Sequence, residues 1–172
     1  MNYFQLFNIP VQFKVDKDLL RQQYMERSRQ YYQNKDFQHS KAKEHQAQEV
    51  VALLNKAYQT LQSPEETMEY ILREKGLLTG EEHLVLPPDF LMQMTELQEE
   101  LAEAPLQDDQ NTKTQILQQL AEIEKDIYEP VQDCLEHYQE GITSSEALLK
   151  VRNYYLKKKY IHRFLQQMSQ KS

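Results

Sequence analysis

Apolar and polar positions alternate along this chain with the period of a helix almost throughout. In Val50–Leu61 (VVALLNKAYQTL), Val50, Leu53, Leu54, Ala57, Tyr58 and Leu61 recur at three- and four-residue steps. That is the stripe of a helix with one face buried. Ser63-Pro64-Glu65-Glu66 then stops this helix and opens another: Ser63 caps, Pro64 suits the first helical position and Glu66 completes a capping box. The new helix runs to Lys75 and stops at Gly76, with Met68, Ile71 and Leu72 as its buried side. Upstream, Asn2–Phe7 forms a short apolar helix closed by Pro10. Asp16 caps a helix reaching Tyr32, with Leu20, Tyr24 and Tyr31 facing inward. A polar loop from Gln33 to Ser40 joins it to the Val50–Leu61 helix, which starts near Ser40.

Gly80 and Pro87-Pro88 break the pattern and place a connection at 77–87, in which Leu84, Val85 and Leu86 are too apolar for a free linker. Beyond it the pattern predicts a helix over Asp89–Ala104, a turn over Pro105–Asn111 and a long helix over Thr112–Tyr138. Ile116, Leu120, Ile123 and Ile127 share one face of the long helix, and a kink or break is expected near Tyr128–Pro130 because Pro130 removes a backbone donor. Gly141 ends that element, and Thr143-Ser144-Ser145-Glu146 is a capping box for a last helix to about Met168. The expectation is an all-α chain of two parts: residues 1–76, and a three-helix bundle over 88–172.

Composition agrees. Three glycines, no tryptophan and 172 residues suit one or two small helical domains. The net charge of −7 argues against general nucleic-acid binding. Charge is uneven, acidic from Glu96 to Glu140 and basic from Ala147 onward, so antiparallel packing is expected to set opposite charges side by side. The single cysteine, Cys134, permits no internal disulfide and fits a reducing compartment. No apolar run is long enough to span a bilayer, and MNYFQLF lacks the basic region of a secretory signal; a cytoplasmic protein without membrane partners is expected. No catalytic constellation stands out. His39, His45, His83, His137 and His162 form no metal motif, isolated glycines exclude phosphate loops, and neither metal nor cofactor is expected.

The basic helix with Lys17, Arg21, Arg27 and Arg29, the loop, and the helix carrying LNKAYQTLQSP resemble a J-domain, the module with which co-chaperones engage heat-shock ATPase chaperones. The opening Asn2-Tyr3-Phe4-Gln5-Leu6-Phe7-Asn8-Ile9-Pro10 resembles the start of the HscB family, J-type co-chaperones of iron–sulfur cluster assembly. The resemblance implies that Arg21, Arg27, Arg29 and the loop residues Tyr32, Gln33, Asn34 and Lys35 face an HscA-like chaperone. The family carries His-Pro-Asp in this loop. Here all three positions differ, as Tyr32-Gln33-Asn34.

On the Asp89–Ala104 helix, Phe90, Met94, Leu97 and Leu101 fall within about 60° of arc at roughly 100° per residue, which makes them its core stripe. Met92, Glu96, Glu99 and Glu103 cluster on the opposite side. By spacing alone this is a solvated acidic face with one methionine, or an apolar anchor ringed by carboxylates for a partner. Asp89-Phe90-Leu91-Met92 with Glu96-Leu97-Gln98-Glu99-Glu100-Leu101 resembles the HscB segment that contacts the scaffold protein IscU. The resemblance implies a scaffold-binding set of Leu91, Met92, Thr95 (where the family is usually apolar), Glu96, Glu99 and Glu103. A last-helix aromatic completes it, with Tyr160 as the candidate and Tyr154 or Tyr155 as alternatives. The implied function is a non-enzymatic co-chaperone that delivers an IscU-like scaffold to an HscA-like ATPase. The alternative is an adaptor that binds the scaffold, or another client, without stimulating the chaperone.

Overall fold

A computed structural model gives the chain as helices joined by short connections; it describes residues 1–33, 41–80, 86–103 and 109–170, and the described residues contain no strand. In order they are α1 (Tyr3–Leu6), α2 (Lys17–Gln33), α3 (Lys41–Gln62), α4 (Pro64–Glu74), α5 (Pro88–Glu103), α6 (Asp109–Tyr128), a 3₁₀ turn (Glu129–Val131), α7 (Gln132–His137) and α8 (Ser145–Gln170).

Local chemistry sets most of these ends. The Gln5 amide donates to Asn2 Oδ1 at 2.8 Å and the Asn2 amide donates to Gln5 Oε1 at 3.0 Å, a reciprocal cap on α1. Past α1 the chain turns through Asn8 at φ +52°, a left-handed conformation that asparagine tolerates better than most residues. The Asp18 and Leu19 amides donate to Asp16 Oδ1 at 3.1 and 3.2 Å, starting α2. The Glu66 amide donates to Ser63 Oγ at 3.3 Å, so the expected Ser63 cap forms; at α8 the Ala147 amide donates to Ser144 Oγ at 3.2 Å, one residue past the Thr143 that begins the expected box. Gly76 follows α4 at φ +73°. The expected break at Pro130 is the 3₁₀ turn between α6 and α7. The α6 helix starts at Asp109, ahead of the expected Thr112.

The chain divides into two compact units. The first is Met1–Glu74 with Leu135–Ile142, the second Lys75–Cys134 with Thr143–Ser172. The first unit closes over Phe4, Phe7, Leu20, Leu54, Ala57, Leu61, Ile71 and Leu72, each at most 2% exposed. Around them Tyr24 stacks on Tyr58 at 4.1 Å and Tyr3 stacks on Tyr70 at 4.2 Å. Leu53, expected in the α3 stripe, is instead 44% exposed. Near α3's C-terminal end the buried row is Leu54, Ala57 and Leu61, and Leu53 lies a residue to one side of it. Thr67 is a buried polar side chain missing from the expected core; its hydroxyl donates to the Thr60 carbonyl at 3.1 Å.

Segment 135–142 was expected in the C-terminal bundle. It groups with the first unit because Tyr138 meets the buried Phe13 edge-on at 5.3 Å and Glu136 pairs with Lys14 at 3.2 Å. The second unit is built on α5, α6 and α8, with Met94, Ile116 and Val151 fully buried and Leu97, Leu120, Ile161 and Phe164 at most 2% exposed. Residues near the start of α6 lie by the end of α8, and those near the end of α6 by the start of α8, so the two helices run antiparallel. Opposite charges do come side by side at one end of this pair, where Asp126 of α6 lines the same cavity as Lys150 and Lys157 of α8. Among the described residues no ion pair joins α8 to α5 or α6; Lys157 and Lys159 instead lie over the rings of Phe90 and Tyr155, at 5.9 and 5.4 Å.

Candidate functional site: the outer face of α5

The α5 helix carries its two stripes on opposite sides. Phe90, Met94, Leu97 and Leu101 are buried, while Met92, Thr95, Glu96, Glu99 and Glu103 are exposed and Leu91 is half-buried. Met92 stands out at 62% exposed, an apolar side chain surrounded along the helix by carboxylates. A methionine so placed is a flexible, polarizable anchor for a partner surface. Among the described residues no ion pair or hydrogen bond engages the side chains of Glu96, Glu99 and Glu103. Glu100, one position round, accepts from Gln119 on α6 at 3.3 Å. The Thr95 hydroxyl donates to the Leu91 carbonyl one turn back at 2.8 Å, so its polar group is satisfied within the helix.

The candidate aromatics of α8 separate by burial. Tyr154 and Tyr155 are 8% and 2% exposed, whereas Tyr160 is half-buried. Tyr160 meets Phe90 edge-to-face, with ring centroids 5.8 Å apart and planes at 74°. It is therefore the tyrosine of the three that reaches the start of α5 and keeps accessible surface. Lys157, one turn earlier on α8, lies over the same Phe90 ring at 5.9 Å. Its place beside the site went unread in the sequence, although a Lys–aromatic spacing of three on one helix was the available signal.

The chaperone-facing set is less compact. On α2 the positions of Arg21 and Arg29 are about 80° apart, and Arg27 is about 120° or more from either, so the three do not form one ridge. Arg29 is 3.7 Å from Glu26, which offsets part of its charge locally. Tyr32 is 71% exposed at the end of α2. Gln33 is the last residue of α2; its side chain, Asn34 and Lys35 lie outside the described residues, as do Leu84 and Val85 of the connection. Leu86 is buried.

A sequence model of the HSCB C-terminal oligomerisation domain matches residues 86–169, the stretch that carries α5 and α8. Over that stretch the chain is similar to the HscB family. A co-chaperone protein HscB homolog of Vibrio vulnificus is 38% identical over 106 residues, covering 61% of this chain and 62% of that protein. The homolog of Aliivibrio fischeri is 38% identical over 110 residues, covering 63% and 64%. These matched stretches span just under two thirds of each relative's length. The structure of chaperone HscB from Vibrio cholerae aligns with a TM-score of 0.66 and 26% identity over 97% of this chain and 99% of that one. The human co-chaperone protein HscB shares the fold, with a TM-score of 0.72 and 20% identity over 99% and 82%. The described residues share the all-α fold of these HscB structures. Among the described residues no helix is long and apolar enough to cross a membrane, and no three His, Cys, Asp or Glu side chains come together as metal ligands do.

Proposed function

We propose that this chain is a non-enzymatic co-chaperone that holds an IscU-like iron–sulfur scaffold protein on the outer face of α5 and presents it to an HscA-like heat-shock ATPase. The observation that carries this reading is the exposed Met92 flanked by Glu96, Glu99 and Glu103, within the segment that matches the HscB C-terminal domain. An apolar anchor supplies affinity once water is excluded from it, and surrounding carboxylates select a partner surface of opposite charge. Leu91 and Tyr160 extend the apolar part toward the N-terminal end of α5. With its hydroxyl tied to Leu91, Thr95 offers a partner chiefly its methyl group, which suits a position where the family is usually apolar.

Arg21, Arg27, Arg29 and the Tyr32-Gln33-Asn34-Lys35 stretch form the proposed chaperone-facing end. One observation favours a second reading, a scaffold-binding adaptor without ATPase stimulation: Tyr32-Gln33-Asn34 stands where the family has His-Pro-Asp. Asn34 lacks the charge that strengthens a hydrogen bond about twofold, and Gln33 lacks the fixed backbone angle of proline. Single-turnover ATPase of the cognate HscA-like chaperone, with scaffold present, decides between the two. Stimulation on adding this chain supports the co-chaperone; scaffold binding without stimulation supports the adaptor; neither one overturns both.

A further inference from the structure

Lys157 stands where the start of α5 meets α8. Its ammonium lies over the Phe90 ring at 5.9 Å, and Tyr160, one turn later on α8, meets the same ring at 5.8 Å. Both side chains are half-buried, so each keeps accessible surface there. Residues three apart on a helix are neighbours, with Cβ atoms about 5–6 Å apart. A partner that covers the accessible part of Tyr160 therefore comes within reach of Lys157. The charge of Lys157 is not neutralised within the chain. Asp89 sits in the first turn of α5, and Asp126 lines the same cavity of about 300 Å³ as Lys157 and Lys150. Among the described residues neither aspartate forms an ion pair with Lys157. From Ala147 to its end α8 itself has no acidic residue. The Phe90 ring attracts the cation without meeting the hydrogen-bonding capacity of its three N–H donors.

We propose that Lys157 is a specificity-determining residue of the α5 site, pairing with an acidic side chain of the docked scaffold protein. This rests on the scaffold-binding function proposed above and adds to it the polarity of the partner. Glu96, Glu99 and Glu103 lie about 9 to 20 Å further along α5 than Phe90, at roughly 1.5 Å per residue. The site is thus positive at the start of α5 and negative along the rest of it. A partner that reads both ends carries an acidic group next to its contact with Tyr160 and basic groups beyond. The reversed orientation sets like charges together at both ends. A partner surface that covers the ammonium with apolar groups alone strips water from a charge and returns nothing for it, which weakens binding. A carboxylate at that place meets both the charge and the donors.

The test is calorimetric titration of the full chain with the IscU-like scaffold protein at several salt concentrations, beside thermal melts. Lys157→Met keeps the aliphatic bulk over Phe90 and removes the charge. It is expected to weaken binding roughly tenfold at low salt, with the deficit narrowing as salt rises and the melt little changed. Lys157→Glu is expected to weaken binding further, and Lys157→Arg to stay within about threefold of the parent. Should the methionine variant misfold, Lys157→Gln takes its place. Met92→Ala with Glu96→Ala tests the underlying site separately. If that pair weakens binding while Lys157→Met and Lys157→Glu leave it unchanged or tighter, the proposal is overturned and the α5 site stands. A loss equal in Lys157→Met and Lys157→Glu and indifferent to salt makes the residue a packing element and overturns the proposal too. If no variant weakens binding, the α5 site and the proposal fall together.

Discussion

Tyr160 on α8 meets Phe90 on α5 edge-to-face at 5.8 Å, joining the one half-buried aromatic of the proposed site to the first residue of the α5 core stripe. The contact separates two jobs for Tyr160: holding α8 to α5, and the proposed one of offering ring surface to a partner. Tyr160→Phe keeps the edge-to-face pair and is expected to leave both the melt and scaffold affinity nearly unchanged. Tyr160→Ala loses a pair worth about 1 kcal/mol and is expected to lower the melting temperature and weaken scaffold binding several-fold. Calorimetric titration of the folded variant separates the two; full affinity in Tyr160→Ala assigns the residue to packing alone.

Met92 and Glu96 lie on the side of α5 away from the buried Met94 and Leu97, so they can be changed without opening the core. Met92→Ala with Glu96→Ala is expected to weaken scaffold binding by about 2 kcal/mol or more, the range of a truncated interface anchor, with helicity unchanged. Titration with the scaffold protein and far-UV circular dichroism check the two halves of this expectation. Unaltered affinity would remove the outer face of α5 from the site.

What the sequence made legible follows the range of each interaction. Caps at Asp16 and Ser63 and the break at Pro130 depend on residues a few positions apart, and each was readable from the chain, while the cap of α8 falls on Ser144, one residue past the expected Thr143. The split of α5 into a buried and an exposed stripe is set by its own period. The grouping of 135–142 with the N-terminal unit was not readable, because it rests on Phe13 finding Tyr138 across more than a hundred residues. Leu53 is equally instructive: an apolar residue at a fitting step need not be covered if the neighbouring helices leave that side open. Charge balance was legible only coarsely. Asp126 lies by Lys150 and Lys157, yet the ammonium groups of Lys157 and Lys159 lie over rings, and net sign along a sequence does not say which group comes into contact.

The loop substitution asks whether the J-like end keeps the rest of its surface. Tyr32→His, Gln33→Pro and Asn34→Asp together restore the family tripeptide. If Arg21, Arg27 and Arg29 still meet the chaperone, the triple variant is expected to raise single-turnover ATPase stimulation at least severalfold over the starting chain, more so at low salt, where charge-driven docking is least screened. No gain at any salt concentration would place the loss in the arrangement of the α2 cations, which do not share one ridge.

Tyr70 links the ends of the N-terminal unit. Its ring stacks on Tyr3 at 4.2 Å, and its hydroxyl accepts from the Tyr3 amide at 2.8 Å. Burial raises its pKa above the ordinary 10.0, and the nearby Glu74 carboxylate adds to the rise, while the Tyr3 amide opposes it. The raised value means that the folded chain holds this proton more tightly than the unfolded chain does. The resulting stability is fully present below about pH 10 and is lost as pH rises through the folded-state value. Tyr70→Phe removes the titration and also the acceptor for the Tyr3 amide. The variant is expected to be less stable at neutral pH by about 1 kcal/mol, yet to lose less further stability than the parent as pH rises beyond 10. Urea unfolding at neutral and alkaline pH measures both quantities. Parallel alkaline losses in parent and variant would mean that Tyr70 does not govern that limb of the pH profile.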